Sequence, residues 1–288
     1  MSIQWFPGHI AKARREINEH ISEVDIVIEI IDARCPLSSI NFLNENINRK
    51  KRLIVLNKSD LADPNVLKKI DIDFIKQYVG NDVDLDIIFL DSRDNNIKKY
   101  VDKKINNLCD SIYKKNAAKG INNVLLKAIV VGMPNVGKST FINSYVKRKI
   151  NKVENTPGVT KKLQWTKISD KLLLLDTPGV TVKKFKNDDV GINLALVGSI
   201  NDAIIEKQDI AYCFIDKCFV KYSDLFKKRY KLLKSDTNSK VIDIINEIAA
   251  NNHFYKKGGD IDYLRTSNLI INDFRGGKIG KISLEFYD

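Results

Sequence analysis

The clearest regularity in the sequence is a series of short apolar runs, each followed by a polar loop. The runs span residues 24–34, 52–60, 85–94, 125–132, 162–168 and 171–176. The first four are each followed by helix-like sequence, an alternation typical of a parallel sheet covered on both faces. The last two are close enough in sequence to form a hairpin. The pattern therefore predicts an α/β fold.

Beyond residue 186 the alternation of strands and helices stops. The segment 190–250 has helical periodicity instead, most clearly in one apolar face. The residues of that face are Val241, Ile244, Ile245, Ile248 and Ala249. We therefore predict two domains, an α/β domain at 1–186 and a smaller, mostly helical domain at 187–288. Within the first, the polar stretch 114–123, which contains Gly120, is interpreted as a linker.

The composition is that of an ordinary soluble globular protein. Of the 288 residues, 43% are hydrophobic and 29% are charged. No apolar run approaches the roughly 18 to 20 residues that span a bilayer, and the N-terminus lacks the features of a secretory signal. We expect a cytoplasmic protein without a membrane partner. Four cysteines without CxxC spacing predict reduced thiols rather than a disulfide framework or a zinc site; they are Cys35, Cys109, Cys213 and Cys218.

The net charge changes this picture, because it is +12 at neutral pH. A strongly basic protein has affinity for nucleic acid, which it binds with release of counterions from the phosphates. The alternative is codon drift in an AT-rich genome, since the chain is also rich in Asn and Ile. Charge alone favours nucleic-acid binding without deciding it.

The strongest chemical signal is the sequence GMPNVGKS, a full GxxxxGK[ST] motif that begins at Gly132. It follows a predicted strand and precedes a predicted helix, where its glycines allow backbone N–H groups to surround phosphates. Lys138 is expected to span the β- and γ-phosphates, as a catalytic group, and the Ser139 hydroxyl to bind Mg²⁺. The predicted phosphate-binding residues are Asn135, Val136, Gly137, Lys138, Ser139 and Thr140.

Two further motifs follow the phosphate loop in the order expected of a nucleotide hydrolase. DTPG ends the last strand, and its Asp176 is predicted to hold Mg²⁺ while the Gly179 amide senses the γ-phosphate. Thr160, in PGVT between these motifs, is predicted to contact Mg²⁺ and the γ-phosphate as a switch threonine. DTPG alone is a common turn sequence, so both assignments depend on the upstream phosphate loop.

Base specificity is predicted to come from NKSD at 57–60. Asp60 can accept two hydrogen bonds from guanine, Asn57 can support the opposite edge of the base, and the Lys58 stem can lie over it. Ser59 completes the tetrad. A turn with a helix cap is the alternative interpretation. A second base loop is predicted at 91–93, including Asp91 and Ser92.

The order of these motifs is unusual. A Ras-like domain runs from phosphate loop to switch threonine, DxxG and base loops, whereas here the base loops come first. Because domain termini are often close together, such a circular permutation is tolerated when a linker joins them. The sequence thus predicts a circularly permuted P-loop NTPase (Ras-like) domain, plus the helical C-terminal domain.

These motifs, together with IQWFPGHIAKARREI at 3–17 and DARCPLSS at 32–39, resemble the YlqF/RbgA family of circularly permuted GTPases. The resemblance covers essentially the whole chain. It implies GTP hydrolysis coupled to maturation of the large ribosomal subunit, with the helical domain contacting ribosomal RNA. Ser59, where alanine is frequent, and the divergent 91–93 loop are departures from the family pattern.

The residue that positions the attacking water is not evident, because Val180 occupies the position of the Ras glutamine. His9 is similar to the N-terminal histidine of the family and is a candidate for this catalytic role; RNA contact and helix capping are alternatives. Asn135 resembles the asparagine of potassium-activated GTPases, which implies K⁺ as an activator, although asparagine also suits tight turns.

Two basic segments are candidate RNA contacts. Lys12, Arg14 and Arg15 lie close in sequence to aromatic residues, which suits phosphate contact with base stacking. A solvated helix face is equally consistent with that segment. The glycine-rich stretch 273–285 supplies three more candidates, against the alternative of an exposed hairpin end; they are Arg275, Lys278 and Lys281.

The predicted function is a monomeric GTPase that assembles the large ribosomal subunit and whose hydrolysis times its release from the precursor particle. Its predicted ligands are GTP, GDP, Mg²⁺ and K⁺. Two alternatives remain open, a GTP-dependent RNA-binding module with negligible turnover and a regulatory GTPase that does not act on ribosomes.

Overall fold

A computed structural model describes residues 19–40, 50–146, 164–176 and 187–287. These residues form a six-stranded sheet in the order β3–β2–β1–β4–β6–β5, parallel except for the β5–β6 pair. The strands are β1 Ile26–Asp32, β2 Lys51–Asn57, β3 Leu85–Leu90, β4 Leu126–Gly132, β5 Gln164–Ser169 and β6 Leu172–Asp176. Each overlaps a predicted apolar run, which confirms the predicted α/β class.

Helices connect most of the strands and predominate in the C-terminal part of the described chain. They are α1 Pro36–Ser39, α2 Pro64–Leu67, α3 Ile72–Val79, α4 Ile97–Leu108, α5 Asp110–Ala117, α6 Lys138–Val146, α7 Asp188–Leu196, α8 Lys207–Tyr230, α9 Val241–Asn251 and α10 Tyr263–Arg275. Several start at a residue whose side chain accepts a hydrogen bond from the first helical turn. These capping residues are Asp63, Asp71, Asn187 and Asp262.

Apolar side chains alternate along the central strands and fill both faces of the sheet. In β2, Leu53 and Val55 belong to one buried cluster, whereas Ile54 and Leu56 belong to another. Since successive side chains of a strand point to opposite faces, the two clusters lie on the two sides of the sheet. This double burial is the reason that the strands appear in the sequence as unbroken apolar runs.

The helical region, 187–287, packs onto the first of these clusters. Buried side chains from its helices, among them Leu194, Phe214 and Ile248, belong to the same cluster as residues of β1 and β4. The apolar face predicted at 241–249 lies in α9 and is buried as expected, with Val241 at its margin. The helical region is thus fastened to the sheet by a continuous apolar core.

The boundaries of the predicted linker change in the structure. Residues 114–117 belong to α5, so the irregular connection to β4 is shorter than the predicted 114–123. The helix former Ala117 and the lysines before it continue the helical turn. Gly120 follows in a left-handed conformation (φ 78°) that ends the helical path.

The chain after α10, residues 276–287, packs against the rest of the described protein and does not form the exposed hairpin end of the alternative interpretation. We call it the C-terminal strap, because it lies against the loops that follow β1 and β2. The Ile282 N–H donates to the Leu61 carbonyl at 3.0 Å, and the Leu284 N–H donates to the Arg34 carbonyl at 2.7 Å. Its side chains Ile279, Ile282 and Leu284 are buried, so the strap is an integral layer of the fold.

Two polar side chains complete the attachment of the strap. The Ser283 hydroxyl accepts the Asp63 N–H at 3.1 Å. The Glu285 carboxylate accepts the N–H groups of Leu37 and Ser38 at 2.8 and 2.7 Å, and so satisfies the exposed donors at the start of α1. The strap therefore holds two loops that precede it in the sequence by more than two hundred residues.

Within the described residues, no helix has the length and apolar character needed to cross a membrane.

Candidate functional site

The loops with predicted chemistry meet at one edge of the sheet. The register pairs Asp32 of β1 with Asn57 of β2, and Asn57 in turn with Leu90 of β3. On the other side, Ile30 pairs with Gly132 of β4. Because these strands are parallel, their carboxyl ends lie side by side, which is where open α/β sheets bind ligands.

Two glycines of the phosphate loop are required by close contacts. A Cβ at Gly132 would lie 2.3 Å from the Ile30 carbonyl oxygen, and a Cβ at Gly137 would lie 2.3 Å from Nδ2 of Asn57. Both residues also have positive φ, 152° and 99°. No other residue type fits either position without displacing the neighbouring strand or the base loop.

Lys138 lies at the start of α6, inside the phosphate loop. Its ammonium is buried and donates to the carbonyl oxygens of Gly132 and Met133 at 3.1 and 2.9 Å. Ser139 and Thr140 follow on the first turn of the helix and line the cleft. The loop thus presents a cation, a hydroxyl and the N-terminal end of a helix to the same space, which is the arrangement that binds phosphates.

Asn57 joins the two base loops to the phosphate loop. Its Nδ2 donates to the Val136 carbonyl at 2.7 Å, and its Oδ1 accepts the N–H and hydroxyl of Ser92 at 3.0 and 2.7 Å. Nδ2 carries two N–H groups and Val136 accepts one of them, so the predicted support of the base edge by Asn57 stays a prediction. The side chain fixes the distance between loops.

Lys58 crosses the cleft from the base loop to the phosphate loop. Its backbone adopts a left-handed conformation (φ 58°), which turns the side chain away from the strand. The ammonium donates to the Asn135 carbonyl at 2.7 Å and to Oδ2 of Asp32 at 3.0 Å. Since the ammonium is anchored at the phosphate loop, the aliphatic stem lies along the cleft, where a base would be covered by it.

A buried ion pair behind Lys58 was not predicted to have a role. Arg34 donates from Nε and Nη2 to the two oxygens of Asp32, at 2.9 and 2.8 Å, and both side chains are almost fully buried. Burial by itself raises the pKa of Asp32, but the charges of Arg34 and Lys58 outweigh it and hold that pKa well below its usual range. The permanent anion in turn orients the Lys58 ammonium.

The sequence itself contains a signal for the Asp32–Arg34 ion pair. DAR places opposite charges two residues apart at the carboxyl end of a strand buried on both faces. Such charges are stable there only when paired. The same argument would have placed both residues beside the predicted base loop, because β1 and β2 are consecutive strands.

The base end of the cleft contains Asp60 and the second base loop. Oδ2 of Asp60 accepts from Nη2 of Arg93 at 2.6 Å. Asp91 binds the same guanidinium, at 2.8 Å for each of its oxygens. Ser59 is half-buried beside Asp60. The predicted base-reading residues are thus brought together, and Arg93, which the sequence placed in the second base loop without a role, links the two loops.

Most of these groups line one cleft of about 790 Å³, which extends from the phosphate loop to Asp60. Its far wall comes from the helical region, a contribution that the sequence did not indicate. The wall residues are Val197, Gly198, Ile200, Asn201, Asp202, Asn272, Arg275 and Gly276. A nucleoside phosphate fits the character of the cleft, with cations and a helix start at one end and a carboxylate at the other.

The helical wall is hydrogen-bonded to the phosphate loop. Nδ2 of Asn135 donates to the Gly198 carbonyl at 2.7 Å, and the Ser199 hydroxyl donates to the Pro134 carbonyl at 2.7 Å. Asn135, the predicted K⁺ ligand, therefore has its carboxamide oriented by the helical region. A displacement of this wall would move the phosphate loop with it.

The predicted RNA contact of Arg275 requires that its side chain lie on an outer surface. In the structure it does not. Its guanidinium donates to both oxygens of Asp202 at 2.9 and 2.8 Å, and to the carbonyl oxygens of Ala195 and Leu196. It therefore closes the end of α7 onto α10 within the wall of the cleft. Lys278 and Lys281 are exposed, and their RNA contact stays a prediction.

Several predicted site residues lie outside the described part of the chain, so the structure does not locate them. They are His9, Lys12, Arg14, Arg15, Thr160, Gly179 and Val180. For Asp176 the backbone alone is described, and it pairs with Val130 of β4, two residues before Gly132. The carboxyl end of β6 therefore lies beside the phosphate loop.

Comparison with known proteins identifies the family. Residues 127–247 match the family model described as a 50S ribosome-binding GTPase. Over 286 residues the chain is 40% identical to ribosome biogenesis GTPase A of Bacillus cereus, an alignment that covers 99% of this chain and 94% of the relative. The chain belongs to the ribosome biogenesis GTPase A family.

Other members of the ribosome biogenesis GTPase A family agree with this. The Thermotoga maritima protein is 30% identical over 283 residues, covering 98% of this chain and 94% of that one. The crystal structure of GNP-bound YlqF from T. maritima matches with a TM-score of 0.64 and 27% identity, over 96% of this chain and 98% of that one. The predicted resemblance is confirmed, and the chain is a P-loop GTPase.

Proposed function

We propose that this chain is an assembly factor for the large ribosomal subunit, and that GTP hydrolysis promotes its release from the precursor particle. The observation that carries the proposal is the single cleft in which Asn57 and Lys58 join the base loop to the phosphate loop. The description of the matched family as 50S ribosome-binding, and the net charge of +12, support the ribosomal partner.

In the proposed site each group has one role. Asp60 accepts from guanine, the Lys58 stem covers the base, and the phosphate loop with Lys138 holds the β- and γ-phosphates. Mg²⁺ would be held by Ser139, Thr160 and Asp176 together with phosphate oxygens, and would neutralise the charge of the phosphates. The half-buried position of Ser139 at the first turn of α6 suits this donor set.

The water that attacks the γ-phosphate is proposed to be oriented by His9, since Val180 has no polar group. Histidine is neutral or charged near physiological pH and can accept or orient a proton. The exposed Lys278 and Lys281 and the N-terminal basic segment are proposed to contact ribosomal RNA in the cytoplasm.

We expect K⁺ to accelerate hydrolysis. Ligation through Oδ1 of Asn135 would place a cation beside the β- and γ-phosphates, where the three arginines that line the described cleft are each paired with a carboxylate. Single-turnover rates in KCl should exceed those in NaCl by about tenfold, which corresponds to roughly 1.4 kcal/mol of the barrier. Equal rates in the two salts at matched ionic strength would remove Asn135 from this role.

The experiment that tests the proposed function is single-turnover GTP hydrolysis with and without precursors of the large subunit. We expect the particles to raise the rate, and bound protein to dissociate once GTP is hydrolysed but to stay bound with a non-hydrolysable analogue. A binding module with negligible turnover would show no rate increase and the same release with both nucleotides.

The remaining alternative is a regulatory GTPase that does not act on ribosomes. Cosedimentation distinguishes it from the proposed assembly factor. In lysates fractionated on sucrose gradients, the GTP-loaded protein should travel with large-subunit precursors rather than with the soluble fraction. Small-subunit precursors are the matched control for non-specific attraction of a basic protein to RNA.

A further inference from the structure

An exposed arginine at the base end of the cleft bridges two loops. Arg93 is 68% exposed, yet its guanidinium contacts two carboxylates: Nη2 lies 2.6 Å from Oδ2 of Asp60 and 2.8 Å from Oδ2 of Asp91. A free surface arginine samples many rotamers, whereas this one is held as a planar fork between two anions. It connects the loop after β2 to the loop after β3.

The two oxygens of Asp60 differ in their environment. Oδ2 accepts from Arg93, whereas Oδ1 is buried and has no hydrogen-bond partner among the described residues. A buried carboxylate oxygen without a donor is costly, so this atom is suited to accept from a ligand. One oxygen is therefore held by the protein, and its neighbour is left for the contents of the cleft.

We propose that Arg93 is a positioning residue for base specificity, which holds the Asp60 carboxylate in the plane required to accept two hydrogen bonds from the edge of guanine. This inference rests on the proposed assignment of Asp60 as the guanine reader. A carboxylate oxygen can accept more than one donor, so Oδ2 can keep its bond to Arg93 while it accepts from guanine.

Arg93 is itself braced by Asp91. The Arg93 N–H donates to Oδ1 of Asp91 at 2.9 Å, and the Arg93 Nε donates to the same oxygen at 2.8 Å. The hydrogen bond from Arg93 lowers the pKa of Asp91, so this carboxylate remains charged at neutral pH and below. The contact between Asp91 and Arg93 is therefore maintained at neutral pH.

The position of the carboxylate matters more for two hydrogen bonds than for one. Guanine donates from N1 and from its C2 amine, so both oxygens must lie in the plane of the base. Hypoxanthine donates from N1 only, and a carboxylate that rotates about its χ2 torsion can still satisfy this single donor. Loss of Arg93 should therefore weaken guanine nucleotides more than hypoxanthine nucleotides.

The test is the dissociation constant of GDP and of inosine diphosphate for Arg93→Gln in the full chain. We expect GDP to bind about three- to fivefold more weakly, the size typical of one exposed ion pair, and inosine diphosphate to change less than about twofold. Arg93→Lys, which retains the charge but not the fork, should restore part of the difference. Lys103→Gln, on the exposed side of α4, removes the same charge away from the cleft and should change neither constant.

Two results would overturn the inference. An equal loss for both nucleotides would mean that Arg93 supports the loop without affecting specificity, and unchanged constants would mean that it has no role. If Arg93→Gln melts well below Lys103→Gln, then Arg93→Lys and Asp91→Asn carry the same test. Failure of the proposed guanine-reading role of Asp60 would give a different result. In that case Asp60→Asn would not favour xanthosine diphosphate, whether or not Arg93 is substituted.

Discussion

Replacing Arg34 with Met is expected to lower the free energy of unfolding by about 3–5 kcal/mol at neutral pH, the usual cost of removing one partner of a buried ion pair. The guanidinium is 1% exposed, and the Asp32 carboxylate that it binds is 0% exposed. Met fills much of the volume but leaves the carboxylate with Lys58 as its remaining cationic partner among the described residues. Urea unfolding of the two proteins at pH 7 measures the difference.

This loss should depend on pH in a defined direction. The pKa of Asp32 is raised by burial but lowered further by Arg34 and Lys58, so it lies below that of an unfolded Asp. A group of this kind contributes stability above the unfolded pKa of about 4, and the contribution declines as the pH falls below that value. The difference between the wild-type protein and Arg34→Met should therefore be complete at pH 7 and shrink below about pH 4.

A matched control lies in the same sheet. Arg52 forms a second buried ion pair, with Glu29, away from the cleft. Arg52→Met should lose a comparable free energy of unfolding, but it should leave the GDP affinity of the folded protein unchanged. Arg34→Met should also weaken GDP binding, by about tenfold, because the Asp32 carboxylate that orients Lys58 is no longer held in place by the guanidinium. Equal GDP affinities in the two variants would contradict this role of Arg34.

Replacing Asp60 with Asn should change which base the protein binds. Guanine presents two donors to the carboxylate, and an amide can accept only one of them while its own N–H₂ group opposes the other. We expect GDP to bind about 100-fold more weakly, a loss of roughly 3 kcal/mol. Xanthosine diphosphate should become the preferred ligand, because its C2 carbonyl accepts from the new amide. Competition titrations with the two nucleotides measure the change.

The control for this substitution is Asp73→Asn, which removes the same charge from the exposed side of α3. It should leave both affinities as they are in the wild-type protein. If Asp60→Asn retained its preference for GDP, then Asp60 would not be the base reader, and the guanine assignment would have to move elsewhere in the cleft.

The parts of the fold that the sequence predicted are those with local causes. The strands are unbroken apolar runs because both faces of the sheet are covered, and the phosphate loop is defined by glycines that only one backbone path allows. Parallel pairing then brings the ends of these strands together without further information. The gathering of NKSD, the 91–93 loop and the phosphate loop could therefore be anticipated from pattern alone.

The missed features depend on contacts between distant residues. The sequence does not indicate that Arg34 donates a hydrogen bond to the Phe274 carbonyl, 240 positions away. Nor does it indicate that Arg275 forms an ion pair with Asp202. A surface arginine and a buried one look the same in a basic segment. Such contacts follow from how the helical region docks on the sheet, and docking is decided by shape as much as by composition.

The C-terminal strap has a consequence for how the protein matures during synthesis. The Ser283 hydroxyl that holds the Asp63 N–H is 220 positions later in the chain. Because translation proceeds from the N-terminus, the NKSD loop is synthesised early. Its hydrogen bonds to the strap can form only after the strap has been synthesised. A nascent chain that already contains NKSD and the phosphate loop still lacks these hydrogen bonds. The contacts that fasten the loop after β2 are thus completed late, when the strap packs onto it.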